Sequence, residues 1–374
     1  MYKEYSTKHI LNVHKYCDGG WFWIKYSASP YIGCEYGCSY CYCREDKYDP
    51  HKREIDPEII ELEDPFSEYI KIKKDAPDLF RKAIGKKPKD LIYLDSYQPV
   101  ENKYGYCRKI LEACLDLAFP IFINEKSPLL LKDLDILKEI NKKTYVNVGW
   151  SIIASENDEI FSTFEPNNPS PDSRFESMRV LSNNNILTGT VFMPILPYIY
   201  DTEDNIEGII KKTAANGGKY ILDGGLTLNG YCKSYFFNFL EKYDSSLIEK
   251  YELLFSNDKL YSQVNIKTHK IVSKYCQKYK LQNHITRPID YFPIEYQINK
   301  KVSEKLFLKA REIQLEGRER YKEWAYRKAA REIDELDESI STIYINEGLK
   351  GLLKINGVGK SIAMEIEKLI KSNI

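Results

Sequence analysis

The sequence has no charge of one sign in excess. Its 55 Lys and Arg are matched by 55 Asp and Glu, for a formal net charge of zero. General attraction to a polyanion is therefore unavailable, and any nucleic-acid binding must come from local groups. No run of about eighteen apolar residues occurs, and the opening residues carry no apolar h-region, so a cytoplasmic protein with no membrane contact is expected. Nine cysteines, an odd number in a chain of 374 residues, argue against a disulfide framework. The five histidines form no spaced pair with cysteine, since His9, His14 and His51 make no pattern. That leaves no second ligand pair for an ordinary structural zinc site. Thirty tyrosines accompany abundant Lys, Ile and Asn, and compositional bias explains them.

What is present is ordinary in bulk, 43% apolar and 29% charged, and uneven in arrangement. Residues 90–225 alternate short apolar runs with amphipathic stretches. The segments 90–96, 120–127, 144–152, 187–195 and 218–225 read as buried strands, and 21–27 as an earlier one. Residues 107–118, 129–143, 173–185 and 202–217 read as the helices between them. This alternation predicts an α/β fold with a parallel sheet, best read as a partial (β/α)6 barrel, whose chemistry belongs at the C-terminal ends of the strands. Beyond about residue 300 the texture becomes charged and helical. The expected division is a barrel domain over 1–300, and over 301–374 a helical linker with a small all-α domain.

Four cysteines fall within ten positions in "GCEYGCSYCYC". Cys34-x-x-x-Cys38-x-x-Cys41 supplies three thiolates from one loop, and Cys43 lies close behind. Tetrahedral zinc would need Cys43 as its fourth ligand, at an awkwardly short bite. A [4Fe–4S] cluster held by three thiolates instead leaves one iron open, and the spacing favours it over zinc.

The stretch "SPYIGCEYGCSYCYCR" at the head of a predicted barrel resembles the radical S-adenosylmethionine (radical SAM) superfamily. It is similar to the branch that contains spore photoproduct lyase, the DNA repair photolyase-like proteins. Ordered matches follow in "DSYQPVENKY", "NEKSPLLLKDLDIL", "VGWSI", "FEPNNPSPDSRFESMRVL" and "VFMPILPYIYDTED", so the resemblance is strongest over 20–245. It implies a [4Fe–4S] cluster on Cys34, Cys38 and Cys41, with S-adenosyl-L-methionine (SAM) as second cofactor and a 5′-deoxyadenosyl radical formed by reductive cleavage. It further implies that Tyr40, Lys126, Ser151, Glu165 and Arg174 bind SAM, and that an electron donor such as flavodoxin or ferredoxin serves the cluster. Ile32 stands where relatives commonly carry arginine. The donor cysteine that the branch places near its second strand has no counterpart in "LIYLDSYQ". Cys43 and Cys232 are then the candidate hydrogen-atom donors.

At the other end, "LKGLLKINGVGKSIAMEIEKLI" has two amphipathic segments flanking Gly357-Val358-Gly359. Glycines there permit a tight hairpin whose free N–H groups face an anion at the next helix's start, and Lys360 adds a point charge. This is a helix-hairpin-helix pattern, which reads nucleic-acid backbone. With "WAYRKAAREIDELDESI" before it, the region resembles the N-terminal DNA-binding domain of family X DNA polymerases. Glu365 stands where some of those carry a Schiff-base lysine, so only the binding role carries over. Residues 324–374 hold eight basic and eight acidic side chains, which predicts modest, salt-dependent affinity.

The expectation is a radical SAM enzyme acting on DNA, in lesion repair or modification, targeted by the C-terminal domain. The alternatives are a radical SAM enzyme that modifies RNA, a peptide or a small molecule, and a non-catalytic iron–sulfur DNA-binding protein.

Overall fold

A computed structural model describes residues 1–45, 62–316 and 319–372. The chain forms two compact units. The first comprises Met1–Asn12, Ser27–Lys87 and Tyr93–Asn283, and the second Val13–Tyr26, Pro88–Ile92 and His284–Ile374.

Ten strands are present among the described residues: β1 (Tyr2–Tyr5), β2 (Leu11–Val13), β3 (Tyr26–Ala28), β4 (Tyr31–Ile32), β5 (Ile70–Lys73), β6 (Ile92–Leu94), β7 (Ile121–Glu125), β8 (Val146–Ser151), β9 (Leu187–Ile195) and β10 (Ile221–Gly225). A small sheet of order β1-β5-β4 pairs β1 parallel and β4 antiparallel to β5. The main sheet runs β10-β9-β8-β7-β6-β3-β2. All seven thus stand in chain order, and β6 to β10 are consecutive neighbours, as successive βα units produce. The pairs β7–β8, β8–β9 and β9–β10 are parallel. All six residues of β8 are buried, as in a strand covered on both faces.

The crossovers are helices with ordinary start signals. Pro171–Asn183 begins after Ser170, whose hydroxyl accepts from Ser173 N, and has proline in its first turn. Glu203–Ala215 begins after Thr202, which accepts from Asn205 N. Both are stabilised by a side-chain oxygen that satisfies an orphan N–H. These elements agree with the α/β reading, but residues 21–25 are not a strand. The Asp18 carboxylate accepts from Phe22 N and Ile24 N at 3.3 and 2.8 Å, and Trp23 lies at φ 63°. A side chain that captures backbone donors takes them from a ladder.

The second unit is helical: Ile294–Leu315, Arg320–Asp334, Ile340–Glu347, Leu349–Leu352 and Lys360–Lys371. Residues 13–26 are woven into it. The Trp23 ring meets Phe307 edge-on at 5.9 Å, and its indole N–H donates to Ile285 O at 2.7 Å. Arg287 forms a buried ion pair with Asp334. No helix of the described residues is long and apolar enough to cross a membrane.

Candidate functional site

The cysteine loop is a succession of turns. Gly37 N donates to Cys34 O, Cys41 N to Cys38 O and Arg44 N to Cys41 O, at 3.1–3.3 Å. Gly33 opens the loop at φ 86°, where a Cβ would stand 2.6 Å from Phe66 O. Only glycine adopts that backbone at no cost. Cys38 is buried, while Cys34, Cys41 and Cys43 keep part of their surface accessible.

Distant segments lace this loop in place. Asn168 Nδ2 donates to Cys38 Sγ at 3.3 Å and to Tyr36 O at 3.1 Å. Gln98 bonds Glu35 N and Gly33 O. Arg44 is fully buried, with its guanidinium 3.9 Å from the Tyr235 ring centre and 4.7 Å from that of Phe66. It grips Asp64 bidentately at 2.5 and 2.8 Å and donates to Cys38 O. A planar fork with faces for stacking suits this position, and lysine would not.

Next to the loop the structure brings together all five residues predicted to bind SAM. Tyr40 OH donates to Glu165 Oε1, and Lys126 Nζ donates to Tyr40 OH at 2.9 Å and to Glu165 Oε1 at 2.7 Å. Arg174 pairs with Glu165 Oε2 and donates to Ser151 O at 2.7 Å, and Ser151 Oγ donates to Met193 O at 3.4 Å. Lys126 follows β7 directly and Ser151 ends β8, so both stand at the C-terminal ends of parallel strands. Burial would raise the Glu165 carboxyl, yet the charges of Arg174 and Lys126 outweigh it and hold the group at about 2. Two cations and one carboxylate leave one positive charge in excess. The Lys126 ammonium has three donors and uses two here, so the cluster of side chains suits an added anion.

The thiols differ among themselves. Burial pushes Cys34 well up and Cys38 to about 11. The neighbouring Cys43 thiol draws Cys41 down, against its burial. Cys34, Cys38 and Cys41 lie near enough to feel one another's charge. Among the described residues, no group of three or more His, Cys, Asp or Glu meets closely enough to hold one metal ion. Three thiols on one short loop are donors of the kind that an iron–sulfur cluster takes. Cys43 faces Cys41, Tyr42 and Asp95. Asp95, just after β6, retains exposed surface, and desolvation by the surrounding protein raises its carboxyl to about 6. Cys232, in the helix Gly230–Asp244, is fully buried and gives its S–H to Cys41 O at 3.3 Å.

The second candidate site lies in the second unit. Gly357 takes φ 80°, and a Cβ there would approach Lys328 Cγ to 2.9 Å. Val358 N donates to Ile355 O at 3.1 Å, closing the turn. Gly359 precedes the helix Lys360–Lys371 with open space around its α-carbon. The first N–H groups of a helix have no intrahelical partner, and here they begin at Lys360. Glu365, in place of a lysine, accepts from Tyr326 OH at 2.5 Å.

A solved structure of a single-substitution variant of spore photoproduct lyase matches at a TM-score of 0.51, with 15% identity, over 70% of this chain and 77% of that one. The chain shares the fold of spore photoproduct lyase. Residues 299–373 match the helix-hairpin-helix domain family. Among curated relatives, an uncharacterized protein of Methanocaldococcus jannaschii is 29% identical over 184 residues, 48% of this chain. One of Mycobacterium tuberculosis is 22% identical over 238 residues, 62% of this chain. One of Acidianus two-tailed virus is 28% identical over 195 residues, 50% of this chain. The chain spans 63%, 67% and 62% of their respective lengths. Lys126, Ser151 and Asp95 all stand at the ends of strands of the main sheet. Sequence reasoning missed Arg44, Gln98 and Asn168. The first had a local signal, its place three residues after the last cysteine of the triad.

Proposed function

We propose that this chain is a radical SAM enzyme that acts on nucleic acid, most consistently on a DNA lesion or modified base, and that its helix-hairpin-helix domain targets it there. The observation that carries the reading is the convergence of Tyr40, Lys126, Ser151, Glu165 and Arg174 beside a three-thiol loop at the ends of parallel strands. Cys34, Cys38 and Cys41 would hold a [4Fe–4S] cluster. With SAM and one electron from a flavodoxin- or ferredoxin-like donor, the cluster supplies a 5′-deoxyadenosyl radical when bound. The protein's own part is positioning and the exclusion of water.

In this reading Lys126 receives the SAM carboxylate. Glu165 and Arg174 fix Lys126, Tyr40 and the backbone at Ser151. Cys43 is the better of the two donor candidates, because it keeps accessible surface beside Asp95. Cys232 is fully buried and acts as a support for Cys41. Gly357, Val358, Gly359 and Lys360 would hold backbone phosphate, and a target base would reach the thiol loop only when turned out of its stack.

The test is anaerobic reconstitution of the full chain with iron and sulfide, followed by reduction in the presence of SAM. Formation of 5′-deoxyadenosine is expected. Deuterium passing from labelled DNA into that product would identify DNA as the substrate, and passage from labelled RNA would assign RNA instead. A reconstituted, reduced protein that binds SAM without cleaving it would overturn the enzymatic reading and leave an iron–sulfur DNA-binding protein.

A further inference from the structure

Soluble proteins rarely leave two large aromatic side chains in water on one helix face without a use. The helix Arg320–Asp334 does so: Tyr321 is 90% exposed and Trp324 is 59% exposed. Lys328 continues the same line at positions i, i+3 and i+7. The three are spaced by about 4.5 and 6 Å along the helix axis. At its far end the stripe meets the hairpin, because the Lys328 stem packs against Gly357.

The charges around the stripe favour an anion. Glu319 is paired with Lys322, and Glu323 with Arg327. Arg320 and Lys328 have no carboxylate partner among the described residues. With Lys360 at the hairpin, three cations border a pair of exposed rings. Positive charge along a backbone track, with aromatic rings beside it, is how proteins hold unpaired strands, since every base offers a π-face.

We propose that Tyr321 and Trp324 stack unpaired bases of a nucleic-acid strand whose phosphates are held by Lys328 and the hairpin, so that the second unit selects a junction of paired and unpaired strand. This rests on the hairpin binding nucleic acid, and adds the form of nucleic acid it takes. A blunt duplex gives phosphates but no free base faces, whereas an overhang or gap gives both.

The chain provides its own reporter. Of its four tryptophans, Trp23 and Trp150 are buried and Trp21 is half-buried, while Trp324 alone is exposed. The experiment uses the full-length protein with a blunt DNA duplex and with the same duplex carrying a single-stranded overhang. Tighter binding of the overhang form is expected, with quenching of the exposed tryptophan emission. Trp324→Ala should weaken overhang binding roughly tenfold, the scale of one stacked base, and leave blunt-duplex binding unchanged. Trp324→Phe should keep the overhang preference and lose the quenching. An unchanged unfolding midpoint in both variants would confirm intact folding.

Equal affinity for blunt and overhang DNA, without quenching, would overturn the stripe and leave the hairpin reading standing. If neither DNA binds, both fall. Self-association of the protein that Trp324→Ala abolishes, with no overhang preference, would assign the stripe to a protein contact and overturn it as well.

Discussion

Glu165 is the residue on which the site's electrostatics turn. It is fully enclosed, bonded by Tyr40, Lys126 and Arg174, and its second oxygen neutralises a guanidinium that is itself fully buried. Replacing it by glutamine keeps the shape and removes the charge, so Arg174 is left as an uncompensated buried cation. Glu165→Gln should cost about 3–5 kcal/mol, the usual effect of breaking a buried pair from one side. Urea unfolding followed by circular dichroism measures it. Lys126 keeps a partial outlet to water, with its side chain 16% exposed, so Lys126→Met should cost less in the same assay. Such residues were nameable from the sequence only because they sit in ordered motifs. No spacing rule could show that Arg174 and Glu165 meet, or that Asn168 hydrogen-bonds the second thiol.

Among elements, those with the strongest periodicity were legible in the sequence, while their connections were not. The strands expected at 120–127, 144–152 and 187–195 correspond to β7, β8 and β9, because buried parallel strands are continuous apolar runs bounded by turn residues. "WFWIK" misleads for the same reason. It is apolar and aromatic like a strand, yet it is folded into turns by the Asp18 side chain. The turn before it is packed so tightly that a Cβ on Gly19 would lie 2.3 Å from the Phe307 ring. Phe307 is buried and stacked edge-on against Trp23, so it has little room to give. Gly19→Ala should destabilise the second unit by about 1–3 kcal/mol, as overpacking does, and lower its thermal midpoint.

At the level of the whole molecule, buried carboxyls should pull the pH response in opposite directions. In the second unit, burial raises Asp18 to about 7 against the backbone donors of Ile24 and Phe22, and raises Asp90 to about 6 against the charges of Arg287 and Lys300. An unfolded aspartate releases its proton near 3.9. Between about pH 4 and 7 the folded state therefore binds more protons, and stability falls as pH rises through that window. In the first unit, Glu165 is held at about 2, below an unfolded value of about 4.3. Its contribution is present above that value and is lost as pH falls towards 2. Calorimetric scans from pH 3 to 8 should show a smaller loss towards neutrality in Asp18→Asn than in the unaltered chain, and a smaller loss in acid in Glu165→Gln. That residues 13–26 and 88–92 fold with the C-terminal helices had no sequence signal, since such partnering depends on long-range packing.

The lacing of the cysteine loop also sets a timetable. Cys41 O waits for a thiol 191 residues further along the chain, and Arg44 waits for Tyr235. At roughly 5–20 residues per second of synthesis, the loop emerges about 10–40 s before its last supports exist. During that interval its thiols are unshielded from oxygen and from stray metals. Production in cells should therefore depend on how reducing the compartment is while the chain is still being made, and less on conditions after release.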